Sequence, residues 1–293
     1  MKVGQLLHQG QACLAHTPDA EWDARELLLC ALGLPRGTLV RHLGDEVSSQ
    51  DAERCLALFE RRAQGEPTQY ILGEAWFMGL RFSVDARVLI PRQDTELLCE
   101  TALSLAGQRG YRCALDLCTG SGALAVSLAK LGGLQVTATD LSPDALCVAQ
   151  ENAKKNKVQI AFLQGDLLEA LPNGQVFDMI MCNPPYLTAQ EMDALQPEVR
   201  QEPKLALLGG TDGLMFYRRL AHDAGRHLKS GGALLMEIGC AQGESVSTLF
   251  SNWKTKVLQD LNGLDRVVLA EPKQKGERYG QTDGKTGGAG GAL

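Results

Sequence analysis

The sequence lacks the features that mark several common protein classes. Its nine cysteines include no C-x-x-C pair, and their odd number argues against a disulfide framework or a zinc site. We therefore expect reduced, mostly buried thiols of a cytoplasmic protein. No apolar run is long enough to span a membrane, and the first residues do not form a signal-peptide core. These absences predict a soluble, intracellular protein with no membrane partner.

Positive charge and strand-end histidines are also scarce. The net charge is −6, with 29 Lys and Arg against 35 Asp and Glu. Tight duplex binding needs a basic face, so this balance argues against nucleic acid as a partner. No histidine ends a predicted strand, where hydride transfer would need one. With 44% hydrophobic and 22% charged residues, the 293 residues suffice for one large or two modest globular domains.

The N-terminal part is predicted to be a small helical domain over residues 1–72. Apolar residues recur there at helical spacing. A second helix is predicted to start within Thr17–Ala20, with a cap and a first-turn proline, and a third after Ser48. Residues 73–92 change to short strands around a glycine turn, which predicts a β-hairpin linker. The next helix opens within Leu89–Glu96, a stretch that could cover a bound cofactor.

Residues 93–272 alternate between apolar runs, glycine-rich turns and helices. This alternation predicts an α/β domain with a mostly parallel, doubly wound sheet. The predicted strands are Ala114–Leu117, Gln135–Thr139, Ile160–Leu163, Val176–Met181, Ala233–Ile238, Thr255–Leu258 and Arg266–Ala270. Residues 273–293 are rich in glycine and are predicted to be disordered.

The fourth predicted strand stops at the sequence Asn183-Pro184-Pro185-Tyr186. Neither proline has a backbone N–H, so no regular element continues through them. The side-chain oxygen of Asn183 and the carbonyl of Pro184 can accept both hydrogens of a planar –NH2 group, and Tyr186 can stack on it. We predict that Asn183, Pro184 and Tyr186 are catalytic and that Pro185 completes the substrate site.

A second motif indicates a nucleoside cofactor. Gly120–Ala125 fits G-x-G-x-x-A between a strand and a helix, and Asp140 at the next strand end can bind ribose hydroxyls. The motif alone does not distinguish NAD from S-adenosylmethionine. Asp116 favours the latter, because a carboxylate suits a cationic amino-acid group and repels a diphosphate. The Asn183–Tyr186 acceptors for an amine favour it as well.

These motifs resemble those of known methyltransferases. Asp116–Gly122 with Asp140 resembles the cofactor motifs of class I methyltransferases, and Asn183–Tyr186 the motif of enzymes that methylate planar nitrogens. Three further stretches resemble the HemK/PrmC family, the peptide chain release factor glutamine N5-methyltransferases. They are Gly65–Gly73, Leu89–Glu96 and Glu202–Pro203 with Ala206–Gly213.

The resemblance covers the chain to about residue 270 and implies both fold and function. The fold would be a Rossmann-like, seven-stranded class I methyltransferase sheet preceded by the helical bundle and hairpin. The reaction would be methylation, by S-adenosylmethionine, of the glutamine in the Gly-Gly-Gln loop of class-1 release factors. Asp140 would hold the ribose, Leu167 would lie at the adenine, and Asn183 would touch both cofactor and substrate. The full set of expected cofactor residues is Asp116, Cys118, Thr119, Gly120, Ser121, Gly122, Asp140, Leu141, Asp166, Leu167 and Asn183. The chain departs from the family at Cys118, where many relatives have glycine, and at Leu167, where some have an aromatic residue.

Three alternatives remain on the residues alone. A DNA or RNA exocyclic-amine methyltransferase would use Asn183–Tyr186 equally well, although the acidic charge argues against it. A non-catalytic scaffold with a retained cofactor fold is disfavoured by the intact Gly120, Gly122, Asp140 and Asn183. An NAD-dependent oxidoreductase would be distinguished by which nucleotide stabilises the protein against heat.

Overall fold

A computed structural model describes residues 1–273, so the predicted disordered tail lies outside the described residues from position 274 on. The N-terminal helices are α1 Val3–Cys13, α2 Ala20–Leu32, α3 Leu39–His42, α4 Ser49–Ala63 and α5 Thr68–Leu72. The three longest pack around a shared apolar core that includes Leu27 and Phe59. Gly10 makes room for the Phe59 ring, because a Cβ there would lie 2.5 Å from it. Ser48 caps α4 as predicted, its Oγ accepting the Asp51 N–H at 3.1 Å.

Two sequence expectations are wrong in detail. Helix α2 begins at Ala20, so Pro18 precedes its first turn, and the helix has no side-chain cap. The Thr17 hydroxyl instead donates to the Leu14 carbonyl at the end of α1. The thiols are free but not mostly buried: among the described residues, Cys55, Cys99 and Cys182 alone are buried. The other six cysteines are exposed or partly exposed, because the place of a residue in the fold, and not its type, determines its exposure.

The predicted hairpin linker is present. Strands β1 (Glu74–Phe77) and β2 (Leu80–Ser83) pair antiparallel. Met78 and Gly79 between them both have positive φ, 50° and 72°, the backbone that a two-residue hairpin turn requires. The backbone N–H of Ser83 donates to Asn152 Oδ1 at 2.7 Å, which attaches the hairpin to the sheet domain.

The sheet domain contains a seven-stranded sheet in the order β5-β4-β3-β6-β7-β9-β8. Its strands are β3 Cys113–Leu117, β4 Gln135–Asp140, β5 Ile160–Gln164, β6 Phe177–Cys182, β7 Leu228–Glu237, β8 Trp253–Gln259 and β9 Asp265–Pro272. The helices are α6 Gln93–Arg109, α7 Ala123–Gly132, α8 Pro143–Asn156, α9 Ala189–Asp193, α10 Met215–Asp223 and α11 Gly243–Leu249. The strands from β3 to β7 are parallel, and β9 runs antiparallel between β7 and β8. All seven predicted strands are confirmed.

The sheet is covered on both faces, as a doubly wound fold requires. Alternate residues of a strand point to opposite faces, and Ala114 and Leu115 accordingly belong to two different apolar cores. One core includes residues of α6 and α7, the other residues of α10 and α11. The chain builds the sheet outward from β3, with β4 on one side of it and β6 on the other. In such sheets, the crevice for a ligand lies at the carboxyl ends of these strands, here β3 and β6. Among residues 1–273, no helix combines the length and apolar character needed to cross a bilayer.

Candidate active site

The turn from β3 to α7 is built on two glycines and one carboxylate. Gly120 and Gly122 have φ of +54° and +79°, and a Cβ on Gly122 would lie 3.0 Å from the Ala149 Cβ. The Gly120 N–H donates to Asp140 Oδ2 at 2.8 Å, and Asp140 Oδ1 accepts the Ser142 N–H at 2.9 Å. Asp140 therefore ties the glycine turn to the end of β4. Burial raises its pKa, while these backbone hydrogen bonds lower it.

Asp116 supports the same turn from behind. It is fully buried in β3, and its Oδ2 accepts from Thr119 Oγ1 at 2.6 Å and from the Ala125 N–H at 3.2 Å. Its Oδ1 is buried and has no hydrogen-bond partner within residues 1–273. Burial raises the pKa of Asp116 to about 7, although the bonds from Thr119 and Ala125 act in the opposite direction. The site thus contains one unused carboxylate acceptor.

A cavity of about 1050 Å³, including its open mouth, lies over the carboxyl ends of β3 and β4. Nine predicted cofactor residues line it: Cys118, Thr119, Gly120, Ser121, Asp140, Leu141, Asp166, Leu167 and Asn183. Asp116 and Gly122 are not in the lining. Leu89, Pro91, Arg92 and Thr95, from the stretch expected to cover a cofactor, form part of the wall.

Three lining residues have further constraints of their own. Cys118 and Leu167 have φ of +58° and +51°, a left-handed backbone that favours glycine. Cys118 Sγ lies 4.0 Å from Cys182 Sγ. The Asp166 carboxylate pairs with Arg219 at 2.9 and 3.0 Å. Cys118, named above as a departure from the family pattern, is therefore a non-glycine residue with a backbone conformation that favours glycine.

A second cavity, of about 580 Å³ including its open mouth, adjoins the first along a boundary that includes Asn183. Its lining is Leu89, Arg92, Asn183, Tyr186, Leu187, Val199, Ala206, Leu207 and Glu237. Asn183 belongs to both cavities, whereas Tyr186 lines only the second and Pro185 only the first. Pro184 is buried and lines neither. A group in one cavity and a group in the other would meet at Asn183.

The Asn183 carboxamide is oriented by its neighbours. Its Nδ2 donates to Thr95 Oγ1 at 3.1 Å, and Thr95 Oγ1 donates to Glu237 Oε2 at 2.5 Å. Within residues 1–273, neither Asn183 Oδ1 nor the Pro184 carbonyl oxygen receives a hydrogen bond. Two acceptors on adjacent residues therefore lack a donor within the described part of the chain, and their role in holding a planar –NH2 group stays a prediction.

Comparison with known proteins identifies the family. A PrmC N-terminal domain model matches residues 5–73, and a methyltransferase small domain model matches residues 93–204. The release factor glutamine methyltransferase of Geobacter sulfurreducens is 43% identical, covering 85% of this chain and 87% of the relative. The protein of that name from Deinococcus radiodurans is 39% identical, covering 92% and 98%. The chain belongs to the release factor glutamine methyltransferase family.

Solved structures agree with this family assignment at the level of fold. The hMettl16 catalytic domain is 19% identical, with a TM-score of 0.53, covering 77% of this chain and 81% of that one. A methyltransferase from Pyrococcus furiosus is also 19% identical, with a TM-score of 0.50, covering 66% and 89%. Such similarity establishes the class I methyltransferase fold expected from the sequence, and nothing about the substrate.

Gly209 and Gly213 lie in the stretch Ala206–Gly213, which was assigned above only by its resemblance to the family. Their close contacts give a physical reason for glycine at both positions. A Cβ at Gly209 would lie 2.6 Å from the Pro185 carbonyl oxygen, and one at Gly213 would lie 2.3 Å from that of Tyr186. Gln242 Nε2 donates to the same Tyr186 oxygen at 3.2 Å. The segment around Gly209–Gly213 therefore packs directly on the backbone that follows Asn183.

Thr95, Glu237 and Gln242 were not identified from the sequence. Thr95 lies in the first turn of α6, Glu237 ends β7, and Gln242 precedes α11. The one available signal was that Glu237 ends an apolar strand, where a buried carboxylate needs a partner. The side chains that orient Asn183 come from positions far from it in sequence.

Proposed function

We propose that this chain transfers a methyl group from S-adenosylmethionine to the side-chain amide nitrogen (N5) of the glutamine in the Gly-Gly-Gln motif of class-1 release factors. The observation that carries the proposal is the position of Asn183, which lines both cavities and has an unpaired carbonyl oxygen beside the unpaired Pro184 carbonyl. The names of the relatives support the same substrate.

The first cavity has the groups that S-adenosylmethionine needs. Asp140 lies where ribose hydroxyls can be accepted, and Asp116, buried behind the turn and outside the lining, places a carboxylate near the expected position of the cationic amino-acid group. Leu141 and Leu167 offer apolar surface to an adenine ring, next to Asp166. The remaining binding surface is the turn Cys118–Gly122. When bound, the cofactor supplies an electrophilic methyl group.

The work of the protein is to orient a poor nucleophile. An amide lone pair is delocalised, so the nitrogen must be held at near-attack geometry for transfer to occur. Asn183 Oδ1 and the Pro184 carbonyl accept the two amide hydrogens, which fixes the plane of the glutamine amide. As positive charge builds on the nitrogen, these preorganised acceptors stabilise it. Tyr186 forms a wall of the second cavity, where it can pack on the face of the amide.

The helical domain, residues 1–72, is proposed to recognise the release factor. Arg62 on α4 pairs with Asp23 at 2.7 Å and also reaches Glu198 at 3.4 Å. Glu198 directly precedes Val199, which lines the second cavity. A Cβ on Gly65 would lie 3.2 Å from Pro197 in the same segment. The helical domain thus contacts the segment that walls the substrate cavity, with residues 73–92 as linker and 93–272 as the methyltransferase domain. A release factor substrate would place the enzyme in the cytoplasm.

The test is methyl transfer from labelled S-adenosylmethionine to a purified class-1 release factor. Its control is the same factor with the Gly-Gly-Gln glutamine replaced by alanine. Label on the wild-type factor alone is the expected result and identifies both the activity and the target residue. Label on added DNA or RNA, with none on the release factor, would contradict the substrate and favour an exocyclic-amine methyltransferase. Calorimetric binding of S-adenosylmethionine but not NAD is expected.

A further inference from the structure

We propose that Thr95 and Glu237 are positioning residues that fix the Asn183 carboxamide with its oxygen toward the substrate amide. The inference rests on the proposed function, because it gives Asn183 Oδ1 the role of substrate acceptor. It adds two residues, Thr95 from the start of α6 and Glu237 from the end of β7, which would act on the substrate nitrogen by orienting Asn183.

The direction of the hydrogen bonds determines which way the amide faces. Carboxylate oxygens only accept, so the Thr95 hydroxyl must donate its proton to an ionised Glu237. The Thr95 oxygen is then left as an acceptor, and only the –NH2 end of Asn183 can satisfy it. The carboxamide oxygen must point the other way. The ionised Glu237 carboxylate thereby specifies the orientation of the Asn183 carboxamide, through Thr95 and through its own hydrogen bond with the Asn183 side chain.

The pair is built as a buried, closed network. Glu237 is 2% exposed and Thr95 5% exposed, so neither can exchange its partner for water easily. Asp94 of α6, Arg266 of β9, Tyr186 after β6 and Tyr217 of α10 face the Glu237 carboxylate. Tyr217 also donates its hydroxyl to the Glu237 backbone carbonyl at 2.8 Å, which holds the end of β7 in place.

The network of Glu237, Thr95 and Asn183 predicts that kcat depends on pH. Burial raises the pKa of Glu237 to about 7, with Asp94 acting in the same direction and Thr95, Arg266 and Asn183 in the opposite one. A protonated Glu237 can donate to Thr95, whose hydroxyl then donates to Asn183. The carboxamide would turn its oxygen away from the substrate. We therefore expect kcat at saturating cofactor to fall as pH decreases through about 7.

The test compares Thr95→Val, Thr95→Ser and Glu237→Gln in the full-length enzyme with a release factor substrate. Thr95→Val and Glu237→Gln should both lower kcat, by up to about 100-fold, the cost of a misplacement of about 1 Å. Thr95→Ser keeps the hydroxyl and should recover most of the activity. Glu237→Gln should also remove the acid limb of the pH profile, whereas a limb due to Asp116 would persist. Calorimetric affinity for S-adenosylmethionine should stay close to that of the wild type, although Thr95 also contacts the first cavity.

A matched control is available far from the site. Tyr111, a buried residue that precedes β3 and so lies at the opposite end of the strands, donates its hydroxyl to the Gly231 carbonyl at 2.5 Å. Tyr111→Phe should lower thermal stability like Thr95→Val and leave kcat unchanged, which separates positioning from loss of stability.

Three outcomes would overturn the inference. Wild-type kcat in Thr95→Val with an inactive Glu237→Gln would make Glu237 a direct proton acceptor, since it lines the second cavity. An equal loss of cofactor affinity would place the pair in the cofactor site. Wild-type kcat in both variants would leave Asn183 oriented by other means. If the wild-type enzyme itself leaves release factor unlabelled, the proposed function fails first, independently of these variants.

Discussion

The two cavities that meet at Asn183 are shaped in different ways. On the cofactor side, the residues that contact each other are close in sequence. Asp116 accepts a hydrogen bond from Thr119, three residues later, and Gly120 donates one to Asp140, twenty residues later. On the substrate side, Asn183 is held by Thr95, 88 residues away, which is held in turn by Glu237, 142 residues from it. A local motif can build the first cavity, whereas the second exists only once the sheet and α6 are packed.

The largest effect is expected from Asn183→Ala, at the residue where the two cavities meet. Removing the carboxamide takes away one of two substrate acceptors, and kcat should fall by about 10²–10³, as for the loss of one oxyanion-type donor or acceptor. The measurement is single-turnover methyl transfer to release factor, together with calorimetric cofactor binding. Near-wild-type transfer would contradict the orientation mechanism.

The next largest effect is expected from Gly213→Ala. A Cβ there would lie 2.3 Å from the Tyr186 carbonyl oxygen, so the backbone after Asn183 must move. Gly263→Ala is the matched control, because Gly263 has a similar φ of +77° and no atom within 4 Å of the added carbon. We expect Gly213→Ala to cost about 1–3 kcal/mol more in the free energy of unfolding than Gly263→Ala. It should lower kcat while the cofactor affinity is kept. Equal free energies of unfolding for Gly213→Ala and Gly263→Ala in denaturant melts would show that the close approach of residue 213 to the Tyr186 carbonyl is not needed for stability.

Each cavity also contains or adjoins one buried carboxyl group whose pKa is raised to about 7, Asp116 on the cofactor side and Glu237 on the substrate side. A raised folded-state pKa means that the native protein holds the proton more tightly than the unfolded chain. The stabilisation is complete below the unfolded pKa values and is lost as pH rises through about 7. Urea melts at about pH 6 and about pH 8 should therefore show a lower free energy of unfolding at the higher pH. Asp116→Asn and Glu237→Gln should each reduce this difference. Unchanged pH dependence in either variant would show that its carboxyl group does not contribute.

The smallest effect is expected at the cofactor turn, from Cys118→Gly. Removing the strain of a non-glycine residue with a left-handed backbone should raise the free energy of unfolding by about 1–2 kcal/mol. Glycine also gives the unfolded chain more freedom, which should lower the free energy of unfolding by about 0.4–1 kcal/mol. The net change in unfolding free energy should stay within about 1 kcal/mol, with cofactor affinity retained. A large loss of affinity would show that the Cys118 side chain, and not only its backbone, binds the cofactor.

Much of the fold was predictable from local pattern. The strand–turn–helix alternation predicted all seven strands of the sheet, and the Ser48 cap and the glycine hairpin turn were correct because each depends on a few adjacent residues. The cap and first-turn proline predicted for α2 were wrong because the Thr17 hydroxyl had a competing acceptor at the end of α1. The exposure of the cysteines was missed because helix rotation is set by packing partners that no local pattern reveals.

The sequence by itself determined the sheet, the glycine turn and the candidate residues for cofactor and substrate, because these follow from periodicity, backbone freedom and short spacing. Only the tertiary structure decided how Asn183 faces. It brings Thr95, Glu237 and the segment with Gly209 and Gly213 to one strand end from three separate stretches of chain. A hydrogen-bond direction depends on which donors and acceptors meet in space, and residues distant in sequence meet only after the sheet has formed.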